Sequence, residues 1–297
     1  MHFDCVRKRD SFCIKACRHL CSKVIGVKYF NIKGVYAKDD IKSPRDAQGH
    51  GSHTVSTIAG NLVKSASLLG FASGTARGGV PSARLAIYKT CWKKGCLDCD
   101  VLAAFDESIA DGVDIISVSA GPPSSQDLYQ YFQTSYNIGS FHAMKRGILT
   151  SNSAGNSGPG FSSMLNYPPR ILSVAAGTIS RKFLTKVQLG NGMVFEGVSI
   201  NTFDLKNKMF PMVYAGDVPN TAGFATITLD KHLGKGKIVM CDGFASNGVV
   251  RVLSGAAGML VGAPVAKDLP WNFALPAAFL SLNNIQLIYS YMISSRS

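Results

Sequence analysis

The sequence predicts an α/β protein: a parallel sheet flanked by helices, followed by a smaller α/β unit. Three observations predict it. Between residues 24 and 175, short runs rich in β-branched and aromatic residues alternate with helical runs, the pattern of right-handed crossovers between parallel strands. Hydrophobic residues make up 46% of the 297 and charged residues only 16%, which suits a packed globular core and argues against wholesale disorder. After about Asn201 the strand-like runs shorten and are separated by glycine- and proline-containing turns, which marks a second unit.

Residues 1–22 show no sustained apolar periodicity and read as an arm. Val24–Phe30 is the first strand-like run. A polar loop covers Lys38–Gly49, and a helix enters at Thr54–Ala59. Leu85–Lys89 reads as a buried strand. The helix that follows carries Val101, Leu102, Phe105 and Ile109 on one face, with Asp98 or Asp100 as its cap, and Gly112 stops it. Val113–Ser119 is a strand, Ile138–Arg146 a helix, and Ile148–Ser151 and Ile171–Ala175 are strands. In the second unit, Met212–Tyr214, Lys237–Met240 and Gly258–Val261 read as strands, with a helix over Val249–Ala256.

The net charge of +13 is spread along the chain, with small clusters at Arg7–Arg9 and Lys235–Lys237. There is no aromatic-interleaved basic patch, so nucleic acid is not an expected partner. No apolar run is long enough to span a bilayer. The first residues carry an acid and three bases where the apolar core of a signal peptide would begin, so the chain taken by itself reads as cytosolic. The eight cysteines fall into groups. Cys13, Cys17 and Cys21 would share a helix face, but a fourth ligand of a closed tetrahedral set has no candidate, and no metal is assigned. Cys91, Cys96 and Cys99 close short loops around Gly95, which fits a disulfide from Cys91 to Cys96 or to Cys99.

Two glycine-rich loops hold the chemistry. Asp46-Ala47-Gln48-Gly49-His50-Gly51-Ser52-His53-Thr54 places a histidine between glycines, which let a backbone approach a general base closely. His53 follows three residues on, but the two-histidine helix pattern of zinc proteases, with its glutamate, is absent. Ser151-Asn152-Ser153-Ala154-Gly155-Asn156-Ser157-Gly158-Pro159 places an amide at a strand end, where open parallel sheets form their crevice. An amide there can donate to a developing oxyanion.

With the runs Lys42–His53, Gly74–Lys89, Cys91–Cys99, Asp111–Ser119 and Thr150–Pro159, the chain from about Lys23 onward resembles plant subtilases of the cucumisin-like group, in the subtilisin superfamily. The stretch from Tyr214-Ala215-Gly216-Asp217 to Leu275-Pro276-Ala277 resembles their protease-associated domain. The resemblance implies a partial subtilisin-like domain over 23–203 and a protease-associated domain over 204–297, with the arm 1–22 unassigned. It implies a serine endopeptidase with His50 as triad base and Asn156 as oxyanion donor. It further implies that Ser119, Ala120 and Gly121 pair with the substrate backbone, where the family usually has Ser-Leu-Gly, and that Ala154 and Gly155 flank the specificity pocket. Ser52 stands where a threonine is usual. The implied partners are a polypeptide substrate and a second copy bound through the protease-associated domain. No cofactor is implied, and the implied setting is the extracellular space.

Two segments of the family pattern have no match. No Asp-Thr-Gly precedes His50, and Asp4 and Asp10 lie in unrelated sequence. No Gly-Thr-Ser follows Asn156, so the nucleophile has no candidate. The chain reads as truncated at both ends and is expected to be inactive as it stands. The alternative is a non-catalytic pseudo-protease that binds peptides or proteins. A sheet without its first and last strands is expected to expose edges.

Overall fold

The computed structural model describes residues 23–121, 133–158, 160–201, 203, 205, 208–217, 234–241, 255–263, 273 and 275–295, together with the backbone of 2–7. Cys13, Cys17, Cys21 and most of the expected helix over Val249–Ala256 lie outside these residues. The chain forms two compact units, 1–177 and 178–297.

The first unit is built on a six-stranded sheet. Its strands are β1 (His2–Arg7), β2 (Val24–Tyr29), β5 (Arg84–Lys89), β8 (Ile115–Val118), β9 (Leu149–Ser153) and β10 (Ile171–Val174), in the order β10-β9-β8-β1-β5-β2. All pairs are parallel except those of β1, which runs antiparallel to both β5 and β8. Residues 2–7, read from the sequence as part of an arm, thus lie within the sheet. The crossover from β5 to β8 leaves a space one strand wide, with unpaired backbone groups on both sides, and residues 2–7 fill it.

Among the described residues three helices flank this sheet: α1 (His50–Ala59), α2 (Asp98–Ala110) and α3 (Ser135–Lys145). On the α2/α3 face, Ala86, Tyr88, Ile116 and Val118 form one core with Val101, Ala104, Phe105 and Ala143. On the opposite face, α1 packs Ala59 on Leu85. The part of that face contributed by β8, β9 and β10 carries Ile115, Leu149, Leu172 and Val174, which remain 37%, 46%, 52% and 52% exposed. Their alignment follows from the register, in which Ile115 is paired with Leu149, and Ser151 and Ser153 with Leu172 and Val174.

Two hairpins escaped the sequence reading, β3 (Val63–Leu68) with β4 (Phe71–Ala76), and β6 (Cys91–Trp92) with β7 (Gly95–Cys96). The expected helix caps are also corrected. Leu97 precedes α2 without a side-chain cap bond, Asp98 and Asp100 lie within the first turn, and Asp100 is fully buried, accepting the Ile32 N–H.

The second unit holds β11 (Leu184–Gln188), β12 (Val194–Val198), β13 (Met212–Tyr214), β14 (Ile238–Cys241), β15 (Gly258–Ala263), β16 (Ala277–Ser281) and α4 (Leu282–Ser294). Its sheet order is β11-β12-β16-β15-β14-β13, with β13 to β16 mutually parallel. The β11–β12 hairpin joins through Val198 and Phe279, which is why 178–203 belong to this unit. Ile285, Ile288 and Met292 recur at helical spacing and bury α4 against Met240, Leu260 and Leu280.

Candidate active site

His50 is the first residue of α1, where the sequence reading began the helix at Thr54. The glycines on either side of it are poor helix formers, but Asp46 organises the entry. Its carboxylate accepts the backbone N–H groups of Gln48 at 3.0 Å, Gly49 at 2.9 Å and Ser52 at 2.7 Å. Gly49, at φ 94°, turns the chain into the helix in a conformation that favours glycine. Burial by itself would raise the Asp46 pKa; the donors from Ser52, Gln48 and Gly49 outweigh it and hold the carboxyl far below its usual range.

Two buried lysines set the direction of α1. Lys23, just before β2, donates to the carbonyls of Ala59 and Pro81, which holds the C-terminal end of α1 at the start of the sheet. Lys89, at the end of β5, donates to the carbonyls of Ser43 at 3.2 Å and Arg45 at 2.9 Å. That ties the loop before His50 to the C-terminal edge of the sheet. Gly78 completes the seat, since a Cβ there would lie 2.3 Å from the Gly60 nitrogen.

Ser119–Gly121 and Ala154–Asn156 continue β8 and β9 at the same edge. Asn166, which the sequence reading missed, holds them together: its amide donates to the carbonyls of Ala120 at 2.8 Å and Ser153 at 2.9 Å. Ala154 is fixed on both sides, donating to Val174 O and accepting from Leu165 N–H. Gly155 takes φ +88°, and a Cβ on it would meet Leu165 at 2.9 Å. Asn156 is exposed beyond that turn, while Ser119 and Gly121 are half-buried and Ala120 is buried. Asn166 stands in Asn-Tyr-Pro-Pro, which carries no motif signal.

His50 is half-buried, and its Nδ1 is buried without a hydrogen-bond partner among the described residues. Burial lowers its pKa from the ordinary value, opposed by the nearby Asp46 charge, so the imidazole is neutral and able to accept a proton at pH 7. The hydroxyls that follow it in α1 are engaged elsewhere. Ser52 bonds Asp46, Thr54 donates to Gly51 O, and Ser56 and Thr57 donate to His53 O. His53 is exposed, and no group of three or more His, Cys, Asp or Glu able to hold a metal ion occurs among the described residues. No helix among them is long and apolar enough to cross a membrane. The disulfide left open by the sequence is Cys91–Cys96, with a Cα separation of 4.2 Å.

The sequence profile of the subtilase family matches residues 25–188, more than half of the chain. The chain belongs to the subtilase family. Among curated subtilases it is 43% identical over 286 residues to Subtilisin-like protease SBT4.14 of Arabidopsis thaliana, covering 93% of this chain and 38% of that protein. It is 44% identical over 296 residues to Subtilisin-like protease SBT4.15 of the same plant, with the same coverages. It is 39% identical over 312 residues to Subtilisin-like serine-protease S of Lotus japonicus, covering 97% and 40%. The chain thus spans about two fifths of the length of these subtilases.

Proposed function

We propose that this subtilase chain carries the general-base and oxyanion parts of a serine endopeptidase site, and that by itself it does not hydrolyse peptide bonds. His50 is the base, Asn156 the oxyanion donor, Ser119–Gly121 the segment that pairs with a substrate backbone, and Ala154 and Gly155 the wall of the specificity pocket. The observation that supports this best is the placement of His50, Ser119–Gly121 and Ala154–Asn156 at one edge of one sheet. In this chemistry a histidine takes the proton of an attacking hydroxyl, a carboxylate orients the histidine from its other nitrogen, and preorganised donors receive the oxyanion. The orphaned Nδ1 of His50 is consistent with an orienting carboxylate that these residues do not supply.

We further read residues 204–297 as a protease-associated domain through which two copies associate, and the whole protein as secreted. The Cys91–Cys96 disulfide suits an oxidising compartment.

The test is direct. Purified chain, free of contaminating protease, is given a peptide amide substrate and a serine-directed fluorophosphonate. Neither turnover nor labelling is expected. Stoichiometric labelling of one serine, lost in His50→Ala, would overturn the proposal.

A further inference from the structure

Three cysteines stand within nine residues beside the candidate site. Cys91 and Cys96 face each other across the β6–β7 hairpin and are bonded. Cys99 is free, three residues after Cys96 and one residue into α2. Cys96-Leu97-Asp98-Cys99 is therefore a Cys-x-x-Cys run at a helix start, a spacing that supports a disulfide. Cys96 and Cys99 are both half-exposed, whereas Cys91 is buried. The Cys99 sulfur lies 4.0 Å from Asp100 Oδ1.

We propose that Cys99 is the attacking thiol of an internal disulfide exchange. Its thiolate attacks Cys96 Sγ, the Cys96–Cys99 bond forms, the Cys91–Cys96 bond breaks, and Cys91 leaves as a thiolate that takes up the proton Cys99 released. One disulfide replaces another, with no net oxidation and no external reagent. The released Cys91 thiol lies beside Thr90 Oγ1, 3.6 Å away in the first bonding state.

The exchange moves the covalent closure from the hairpin to the start of α2, and the hairpin carries Trp92. That ring makes edge contacts with Tyr29 and Tyr36, and its Nε1 donates to Phe30 O at 2.8 Å. The Lys89 ammonium lies 4.3 Å from the ring centre and also holds the carbonyls of Ser43 and Arg45. A change in how Cys91 is tied is thereby one residue from Trp92 and, through Lys89, one contact from the loop that presents His50.

The experiment uses the unmodified chain with no reductant. Samples held at pH 8.5 are quenched in acid at intervals, alkylated under denaturing conditions and digested with trypsin and an Asp-N protease. These cut between Cys91 and Cys96 and between Cys96 and Cys99, so each pairing gives a distinct linked peptide. The expected result is a Cys96–Cys99 peptide that rises to a plateau together with alkylated Cys91. The variant Cys91→Ser, treated with oxidised glutathione, is expected to form the same Cys96–Cys99 link. If, of these three cysteines, the unmodified chain yields only the Cys91–Cys96 peptide, with Cys99 alkylated and Cys91 not, the proposal is wrong. It is also wrong if folded Cys91→Ser ends in glutathione adducts alone.

Discussion

The two faces of the six-stranded sheet differ in how far they are covered. On one face, α2 and α3 bury β5 and β8 without interruption, and Phe105, Ile116 and Ala143 are sealed from solvent. On the other, α1 covers β5, while Ile115, Leu149, Leu172 and Val174 stay open. Parallel sheets are stable when both faces are covered. The difference teaches that scaffold and site are built to different degrees. The covered face fixes the strand ends that carry Ser119–Gly121 and Ala154–Asn156, and the open face adjoins the edge at which the proposed base, His50, stands.

The comparison predicts unequal responses to substitution. Phe105→Ala, on the covered face, should cost roughly 3–5 kcal/mol, read from denaturant unfolding of the chain, because the cavity has no room to collapse between two helices. Asn166→Ala comes next, at about 2 kcal/mol, since it leaves the Ala120 and Ser153 carbonyls without their donor. Hydrogen exchange at the ends of β8 and β9 should rise in that variant more than at β5. Leu172→Ser, on the open face, should change stability by less than about 0.5 kcal/mol. A cost near that of Phe105→Ala would mean that the open face is covered in solution.

Asp46→Asn sharpens the comparison at the site, with an expected cost of about 1 kcal/mol at pH 7. The sign of its pH dependence follows from linkage. The folded pKa of Asp46 is depressed, so its stabilisation is present above the unfolded carboxylate value and is lost as pH falls through the folded one. The variant should therefore lose part of the acid-side decline in stability that the parent shows below about pH 4. Identical acid limbs would show that Asp46 does not hold the loop.

The strands of the first sheet were legible because their β-branched residues are locally coded, as in Ile115-Ile116-Ser117-Val118. The β3–β4 hairpin was not, because Ser65, Ser67, Ser73 and Gly74 supply no alternating apolar face. Residues 2–7 were misread since their strand is created by the space between β5 and β8 and not by their own pattern. The start of α1 was set late for a related reason: three N–H bonds to Asp46 overcome the low helix propensity of Gly49 and Gly51. His50 and Asn156 were found through their loops, whereas Asn166, Lys23 and Lys89 act through contacts distant in sequence, which no local pattern announces. The helix α4 was within reach, with Ser281 capping the Asn284 N–H and Ile285, Ile288 and Met292 on one face.

The central claim is that His50 is seated as the proposed base and that its buried Nδ1 is unpartnered among the described residues. Titration of His50 by NMR, assigned with His50→Gln, tests it most directly. Burial without a carboxylate on Nδ1 predicts a pKa below the ordinary 6.5. A value raised above 6.5 would contradict the account, because it requires a carboxylate bonded to the imidazole that the described residues do not place there.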